Sequence, residues 1–206
     1  PAKAAFPDSF SYGNEAVETV SYDPEGAKKL LEESGWKDTD GDGYADKDGQ
    51  KLTIDWLTYP TRLEQPKLAE YAQATLKEIG IDVVVNNTSD HMTYAADGDF
   101  DVYVSSTTTA PTGDPEYFFT STVVGPKNYG KYENKEVTAL TEKLHQAFEP
   151  EERAKLATEL QQKILDDDAF FFVSHLNMGI VTKSNVKGMA AHPCDYYEIT
   201  ADLDVE

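Results

Sequence analysis

The sequence is poor in cysteine and has no long hydrophobic run. Its 206 residues include a single cysteine, Cys194. One thiol excludes an internal disulfide framework and any metal site built from several cysteines. No stretch of about 18 consecutive apolar residues occurs, so the sequence predicts no transmembrane helix. The N-terminus lacks Met and a signal-type apolar stretch, and we expect the chain to be a piece of a longer protein.

Positive charge is also scarce. Lys and Arg number 18 against 38 Asp and Glu, which gives a formal net charge of −20. Surfaces that bind nucleic acids need clustered cations to displace counterions from phosphates, and docking on anionic membranes needs cations as well. The composition therefore argues against both kinds of partner. With 39% hydrophobic and 11% aromatic residues, it indicates a folded acidic globule and not a disordered tail.

Hydrophobic periodicity predicts an α/β fold. Asp23 and Pro24 are typical of a helix N-terminus. An alternating run at 52–57 and a β-branched run at 81–85 predict two strands, with an amphipathic helix at 65–79 between them. Strand, helix and strand in this order predict a βαβ unit with a parallel pair of strands.

The second half of the sequence combines helices with short strands. Its patterns predict a helix at 90–96, a strand at 100–105, helices at 135–148 and 150–165, and strands at 169–173 and 178–182. Residues 106–134 are polar and aromatic without periodicity. Long ordered loops in compact domains often carry function.

An acidic loop follows the first predicted helix. Aspartates stand at the first, third, fifth and ninth positions of the segment that begins at Asp38, with glycine at the sixth, as in the first part of an EF-hand loop. The twelfth position is Gly49 where such loops have a bidentate glutamate. The segment predicts either a structural calcium site or a solvated acidic turn. The predicted calcium ligands are Asp38, Asp40, Asp42, Tyr44, Asp46 and Asp48.

Motifs for catalysis are weak in this sequence. The four histidines lack the spacing of a zinc site, and neither a nucleophile elbow nor a P-loop occurs. Ser174 and His175 are merely adjacent, and the negative charge of Asp195 opposes formation of a thiolate at Cys194. We therefore predict that the chain is not an enzyme.

Several segments, in order, carry a family resemblance. They lie at 22–31 (YDPEGAKKLL), 35–38, 40–43, 76–81, 100–102, 113–115, 128–129, 132–134, 151–153 and 161–164. Together they resemble the C-terminal lobe of family 5 solute-binding proteins, which are the extracytoplasmic receptors of ABC importers for peptides, nickel and related chelates. The resemblance covers nearly the whole chain, and the tail at 195–204 is similar to that of nickel receptors.

The resemblance implies a fold and a division of the chain. The implied fold is a periplasmic-binding-protein-like type II lobe, α/β, with a mixed sheet, a βαβ unit and flanking helices. The lobe would span 22–175, while 1–21 and 176–206 would extend toward an N-terminal lobe that this sequence lacks. The implied protein is extracytoplasmic, is membrane-anchored through the missing N-terminus, needs no cofactor and delivers its ligand to an ABC permease.

The resemblance also bears on the ligand. In peptide-binding members, an Asp four residues before the proline of the Asp/Glu-Pro motif pairs with the peptide ammonium, and here that position is Pro111. This favours a nickel chelate with one histidine ligand, and a short peptide stays open. The implied ligand-binding residues are Asp114, Tyr117, Asn128, Tyr129, His175 and His192. The alternative from another class is a calcium-stabilised cell-surface interaction module.

Overall fold

A computed structural model describes residues 1–177, 179–191 and 199–206 of the chain. These residues form two compact units. We call Pro1–Val20 together with Thr107–Glu206 the helical unit, and Ser21–Ser106 the sheet unit. The chain leaves the helical unit after Val20 and returns to it at Thr107. The predicted lobe at 22–175, with segments at 1–21 and 176–206 toward an N-terminal lobe, stays a prediction. None of the described helices is long and apolar enough to cross a membrane.

A parallel three-stranded sheet organises the sheet unit. In chain order its elements are α1 (Pro24–Glu33), β1 (Asp46–Lys47), β2 (Gln50–Lys51), β3 (Thr53–Thr58), α2 (Glu64–Lys77), β4 (Asp82–Asn87), α3 (His91–Asp97) and β5 (Val102–Tyr103). The central strand β3 pairs in parallel with both β4 and β5. The predicted strand–helix–strand unit is therefore confirmed as β3–α2–β4. Strand β5 is shorter than the predicted 100–105.

The core of the sheet unit lies where the strands meet their helices. Leu57 of β3, Val83 of β4 and Ala69 of α2 are buried. The turn after α2 requires glycine, because Gly80 has a φ of +85° and a Cβ there would lie 3.1 Å from the backbone nitrogen of Ala45. Because β3, β4 and β5 are parallel, their carboxyl ends lie at one edge of the sheet.

The helical unit carries its main elements in the second half of the chain. They are α4 (Glu116–Phe118), which continues into a π-helical turn at Phe119–Val123, then α5 (Lys135–Gln146), α6 (Pro150–Asp166), and the antiparallel pair β6 (Val186–Lys187) and β7 (Asp204–Val205). Asn134 caps α5, since its Oδ1 accepts hydrogen bonds from the backbone amides of Glu136 and Val137. The two long helices begin and end within two residues of their predicted limits.

Within the helical unit, an aromatic and aliphatic core joins the first residues of the chain to its second half. The fully buried Phe6 packs edge-on against Tyr12 and Phe118, at centroid distances of 4.9 Å and 6.0 Å. The first residues of the chain thus take part in this core, where their aromatic rings bury apolar surface. Apolar residues of α5 and α6 complete it, namely Val137, Leu140, Leu144, Ala157, Leu160 and Ile164.

The predicted strands at 169–173 and 178–182 are wrong in the described residues, where neither segment forms a strand. The rings of Phe170 and Phe172 stack on each other at 6.2 Å, and both pack against Phe118. Their burial comes from ring packing, without a neighbouring strand to supply a hydrogen-bond ladder. Met178 lies outside the described residues.

Candidate functional site

Arg153 binds Asp114, the first of the predicted ligand-binding residues. The guanidinium donates to both carboxylate oxygens, from Nη2 at 2.6 Å and from Nε at 2.8 Å. Its Nη1 donates to the backbone carbonyls of Leu144 and Ala147, where α5 ends. Bidentate charge-assisted bonds of this kind are strong and directional. Asp114 therefore belongs to an internal network that ties the Asp-Pro turn to α5 and α6.

Glu116 and His145 extend this arrangement, which we call the Arg153 network (Asp114, Glu116, His145 and Arg153). Arg153 Nη2 donates to Glu116 Oε2 at 2.9 Å, and His145 Nδ1 lies 2.7 Å from Glu116 Oε1. Burial by itself raises the pKa of Glu116, but hydrogen bonds from His145 and Arg153 outweigh it and hold the pKa below its usual value. The hydrogen bond to Glu116 in turn raises the pKa of His145.

Tyr117 and Asn128, two other predicted ligand-binding residues, take part in local contacts of the loop that contains them. Asn128 closes a turn, because its Nδ2 donates to the carbonyl of Tyr132 and its Oδ1 accepts from the amide of Tyr132. The Tyr117 hydroxyl lies 3.1 Å from Lys127 Nζ, and this hydrogen bond lowers the pKa of Tyr117. Tyr129 is partly buried in the same loop.

His175 packs against the N-terminal segment. Its Nε2 lies 3.1 Å from Asn14 Oδ1, which also accepts hydrogen bonds from the backbone amides of Lys3 and Ala4. Burial lowers the pKa of His175. The strand predicted at 169–173, which His175 would closely follow, does not form. His192 lies outside the described residues.

Asp114, Asn128 and His175 thus each contact a different part of the helical unit. Asp114 joins the Arg153 network, Asn128 closes its own turn, and His175 holds the N-terminal segment. Their hydrogen bonds explain how the unit is held together. They do not bring these three side chains around one bound molecule in the part of the chain that the structure describes.

Three rings that the sequence analysis did not select come together in the sheet unit. Tyr59 directly follows β3, His91 begins α3 shortly after β4, and Tyr103 ends β5. The imidazole of His91 stacks on Tyr59 with centroids 4.1 Å apart and an interplanar angle of 20°. His91 Nδ1 lies 2.7 Å from the Tyr103 hydroxyl. We call Tyr59, His91 and Tyr103 the sheet-edge cluster.

The position of this cluster is typical of a binding site. In open α/β sheets, ligands bind outside the carboxyl ends of parallel strands. Tyr59 is itself held in place, since its buried ring carries a hydroxyl that accepts a hydrogen bond from the backbone amide of Ser106 at 3.0 Å. A topological signal could have found two of these rings, because Tyr59 and His91 follow the two strands of the predicted parallel pair. Tyr103 lies inside the predicted strand 100–105, and its strand joins the others only in the structure.

Polar atoms without partners mark the same edge. The fully buried Thr58 ends β3, and its Oγ1 has no hydrogen-bond partner among the described residues. The same holds for Oε1 of Gln65, which is 3% exposed in the first turn of α2. Helix α2 starts from the edge at which β3 ends, because a short loop connects them. Buried polar groups are nearly always hydrogen-bonded, so this edge has unmet bonding capacity.

The acidic loop brings three of its predicted calcium ligands together. Carboxylate oxygens of Asp38, Asp40 and Asp42 lie within 4.8 Å of one another, and all three residues are exposed. Asp38 also accepts hydrogen bonds from the backbone amides of Gly41 and Gly43, which curls the loop. Three convergent carboxylates can bind a hard cation such as calcium.

The other predicted calcium ligands have different roles. Both carboxylate oxygens of Asp46 accept hydrogen bonds at 2.7 Å from Thr39, one from its amide and one from its hydroxyl, and these bonds lower the pKa of Asp46. Asp48 occupies the tight turn between β1 and β2 with a φ of +54°. The ring of Tyr44 lies against Lys51 Nζ, 4.5 Å from its centroid. The predicted EF-hand arrangement is thus incomplete, because the β1–β2 hairpin replaces its second half.

Comparison with known proteins adds sequence evidence. The family model described as bacterial extracellular solute-binding proteins, family 5 middle, matches residues 1–130. The oligopeptide-binding protein AppA of Bacillus subtilis is 29% identical over 200 residues, which cover 94% of this chain and 37% of AppA. The nickel-binding periplasmic protein of Escherichia coli is 27% identical over 201 residues, which cover 93% of this chain and 38% of that protein.

Solved structures with the same fold include both kinds of receptor. The structure of AppA from Bacillus subtilis in complex with a nonapeptide superposes with a TM-score of 0.69 at 27% identity and covers 81% of this chain and 34% of AppA. That of NikA from Staphylococcus aureus in complex with Ni(L-His)2 has a TM-score of 0.68 at 26% identity and covers 81% of this chain and 34% of NikA. The chain therefore spans less than two-fifths of the length of these relatives.

Proposed function

Because the chain belongs to family 5 of the bacterial extracellular solute-binding proteins, we propose that it forms part of a receptor that captures a small solute for an ABC permease. The match of residues 1–130 to the family model carries this proposal. Family membership gives no support to an enzymatic function. The proposed receptor is extracytoplasmic, and an N-terminal lobe supplies the other wall of its binding cleft. Closure of the two lobes over the solute shifts an open–closed equilibrium.

The proposed ligand is a chelated nickel ion, with a short peptide as the second candidate. Relatives of both kinds are similar to the chain to nearly the same degree. Two features support the chelate. Pro111, at the position where peptide receptors carry an anion, is buried and apolar. The nearby Asp114 already pairs with Arg153 and so has no free charge for a peptide ammonium.

Support for the location of the site comes from the sheet unit. The sheet-edge cluster presents aromatic and imidazole groups at the carboxyl end of the parallel strands. Thr58 and Gln65 add buried polar atoms without partners at the same edge. We propose that the solute contacts this edge. Tyr117 and Tyr129 stay predicted ligand-binding residues of the helical unit, as the resemblance implies.

A structural calcium ion at Asp38, Asp40 and Asp42 is a secondary proposal. The convergence of three carboxylates favours it. Calcium takes six to eight oxygen ligands, so water would supply most of the shell here. The expected affinity is accordingly that of weak extracellular modules, about 10⁻⁴–10⁻³ M. The alternative function, a calcium-stabilised surface interaction module, depends on this loop alone.

Calorimetric titration of the intact receptor, of which this chain forms part, tests the proposed function. The probes are nickel chloride with two equivalents of L-histidine and, separately, a pool of tripeptides, with L-histidine without metal as the reference. Heat from the nickel mixture alone supports the chelate, whereas heat from the peptides alone replaces it with the peptide. Saturable heat from calcium together with none from either solute would favour the surface module. Native mass spectrometry of protein purified from its source identifies a retained solute directly.

A further inference from the structure

Asp-Gly pairs are chemically labile, because this dipeptide can rearrange in water without any other reactant. The sequence contains Asp40–Gly41, Asp42–Gly43, Asp48–Gly49 and Asp97–Gly98. In each pair the backbone nitrogen of the glycine can attack Cγ of the aspartate, since glycine has no side chain to shield that nitrogen. The hydrogen bonds of the glycine amides and of the aspartate carboxylates distinguish the pairs in the structure.

The glycine amide donates to an acceptor in three of the pairs. Gly41 and Gly43 donate to the two carboxylate oxygens of Asp38, at 2.7 Å and 3.0 Å. Gly98, which follows α3, donates to the backbone carbonyl of Tyr94 at 3.0 Å. An amide that donates in this way keeps its proton and is held away from the aspartate side chain until the bond opens locally. These pairs are therefore protected while the fold is intact.

The acidic loop also holds its reactive carboxylates in place. Asp40 Oδ1 accepts from the amide of Asp42 at 3.1 Å, and Asp42 Oδ1 accepts from the amide of Tyr44 at 2.8 Å. Each carboxylate is thus turned toward an amide further along the chain. The pairs at 40–41 and 42–43 are protected at both reacting groups.

The pair Asp48–Gly49 lacks this protection. It forms the two-residue turn between β1 and β2, with φ values of +54° and +77°. Both residues are exposed, and within residues 1–177, 179–191 and 199–206 neither the amide of Gly49 nor the carboxylate of Asp48 makes a hydrogen bond. Apart from its chain neighbours, no heavy atom would lie within 4 Å of a Cβ at position 49. The attacking nitrogen and the carboxyl group that it attacks are both free to approach each other.

We propose that Asp48 rearranges to isoaspartate, and that it does so ahead of the other Asp-Gly pairs. The Gly49 nitrogen attacks Cγ of the protonated Asp48 carboxyl group, a C–N bond forms, and the hydroxyl leaves as water with the amide proton. Water then adds to the backbone carbonyl of the resulting succinimide ring and breaks its bond to nitrogen. The chain now runs through the former side chain, and the α-carboxylate is free. The inference goes beyond the proposed function and does not depend on it.

The product does not fit the hairpin. Isoaspartate adds one methylene group to the backbone of a tight turn, whose length sets the pairing of Lys47 with Gln50. The hairpin also holds the acidic loop, because the carboxylate of Asp46 accepts from the amide and the hydroxyl of Thr39. We therefore expect the rearranged protein to lose the β1–β2 register and to loosen the acidic loop.

Storage of the intact receptor at neutral pH, followed by peptide mapping, tests the inference. Trypsin cleaves after lysine and so separates the pairs into the peptides 38–47, 48–51 and 78–127. The probe is an isoaspartyl methyltransferase with S-adenosylmethionine, which methylates the free α-carboxylate of isoaspartate. The peptide 48–51 is expected to carry at least about five times as much methyl label as either of the others, the factor that one hydrogen bond provides.

Two variants test the role of the hydrogen bonds. Asp38→Ala removes the acceptor of the Gly41 and Gly43 amides, so the label in 38–47 must rise about fivefold. The label in 78–127 must stay unchanged in this variant, which shows that the rest of the fold is intact. Asp48→Asn keeps the turn, because Asn-Gly is favoured in such hairpins. It must gain label faster than the unchanged receptor, since its uncharged amide releases ammonia when the ring forms.

Several results would overturn the inference. Equal label in the three peptides would show that reactivity follows the dipeptide sequence and not the hydrogen bonds. Label that appears first in 38–47 or 78–127 would contradict the assignment to Asp48, as would an unlabelled receptor alongside a labelled Asp48→Asn variant. If Asp38→Ala leaves the label in 38–47 unchanged, the hydrogen bonds do not protect and the ranking of the pairs is wrong. None of these results bears on the proposed receptor function.

Discussion

Replacing Arg153 with Met removes the charge at the centre of the Arg153 network while it keeps an apolar stem of similar length. The side chain of Arg153 is 15% exposed, and its partners Asp114 and Glu116 are 40% and 25% exposed. The substitution leaves Asp114 without its cation and Glu116 with His145 as its remaining partner. It also removes the donor that satisfies two backbone carbonyls at the end of α5. We expect the helical unit to lose stability.

The size of the loss follows from these exposures. Breaking a fully buried ion pair by removing one partner costs about 3–5 kcal/mol. Water reaches both carboxylates here, so much of their desolvation is relieved, as it is for exposed pairs. Hydrogen bonds to charged groups are worth about 1.5–3 kcal/mol each, but they are not additive within one network. We therefore expect Arg153→Met to lower the free energy of unfolding by about 2–3 kcal/mol.

A second substitution separates charge from geometry. Arg153→Lys keeps the positive charge but has no planar fork, so it cannot bind both oxygens of Asp114 and the α5 carbonyls together. Arg153→Lys is expected to lower the free energy of unfolding by about 1 kcal/mol, which is less than the decrease expected for Arg153→Met. Lys155→Met is the matched control, because it removes an exposed cation from the same helix and is expected to change stability by less than about 0.5 kcal/mol.

Urea unfolding with two spectroscopic signals provides the assay. Far-UV circular dichroism follows the helices, including α5 and α6, whereas the fluorescence of Trp36 and Trp56 follows the sheet unit, in which both tryptophans lie. The reasoning predicts a lower midpoint in the dichroism signal for Arg153→Met. A loss no larger than that of Lys155→Met, or equal losses for Arg153→Lys and Arg153→Met, would show that the fork geometry does not stabilise the unit.

Three further expectations concern ions and protons. Millimolar calcium is expected to raise the melting temperature of the chain and to leave that of Asp40→Asn unchanged. A melting temperature of the unchanged chain that does not respond to calcium would contradict the proposed site in the acidic loop. The pKa of His145 is raised above 6.5 by Glu116, so its stabilisation is complete below that pH and is lost as pH rises through the folded pKa. The melting-temperature gap between the unchanged chain and His145→Gln should therefore narrow from about pH 6 to about pH 8.5, and a constant gap would contradict this pairing. Burial lowers the pKa of His175, so this residue is expected to decrease the free energy of unfolding as pH falls below 6.5. His175→Gln should therefore resist acid unfolding better than the unchanged chain, and parallel acid unfolding profiles of the two would contradict this expectation.

Local pattern was sufficient for the long elements of the fold. The strands β3 and β4 and the helix α2 match their predicted positions, because each has a clear period and ends near a loop or a glycine such as Gly80. Asn134 caps α5 and Pro150 is the first residue of α6, and both residue types favour helix N-termini. The prediction at 169–173 failed because a run of aromatic residues has the composition of a buried strand, whereas pairing depends on a neighbour that local sequence does not specify.

The site depended more strongly on distant contacts. Pro111 and the Asp-Pro turn were visible in the sequence, but the partner of Asp114 is Arg153, which is supplied by a different helix. The sheet-edge cluster joins residues that follow three different strands. Tyr59 and His91 follow the two strands of the predicted parallel pair, whereas the pairing of β5 with β3, which adds Tyr103, is given only by the structure.

The sequence by itself determined the family, the α/β class, the acidic surface and the curled aspartate loop, because these depend on composition and on residues near one another in the chain. Only the tertiary structure decided that Phe6 and Tyr12 belong to a core, that His175 holds the N-terminal segment and that His91 stacks on Tyr59. Each of these roles depends on which side chains pack across large separations in sequence. For example, Gln161 Nε2 donates to the carbonyl of Tyr12 across 149 residues. Such contacts follow from how the whole chain packs, and no local pattern encodes them.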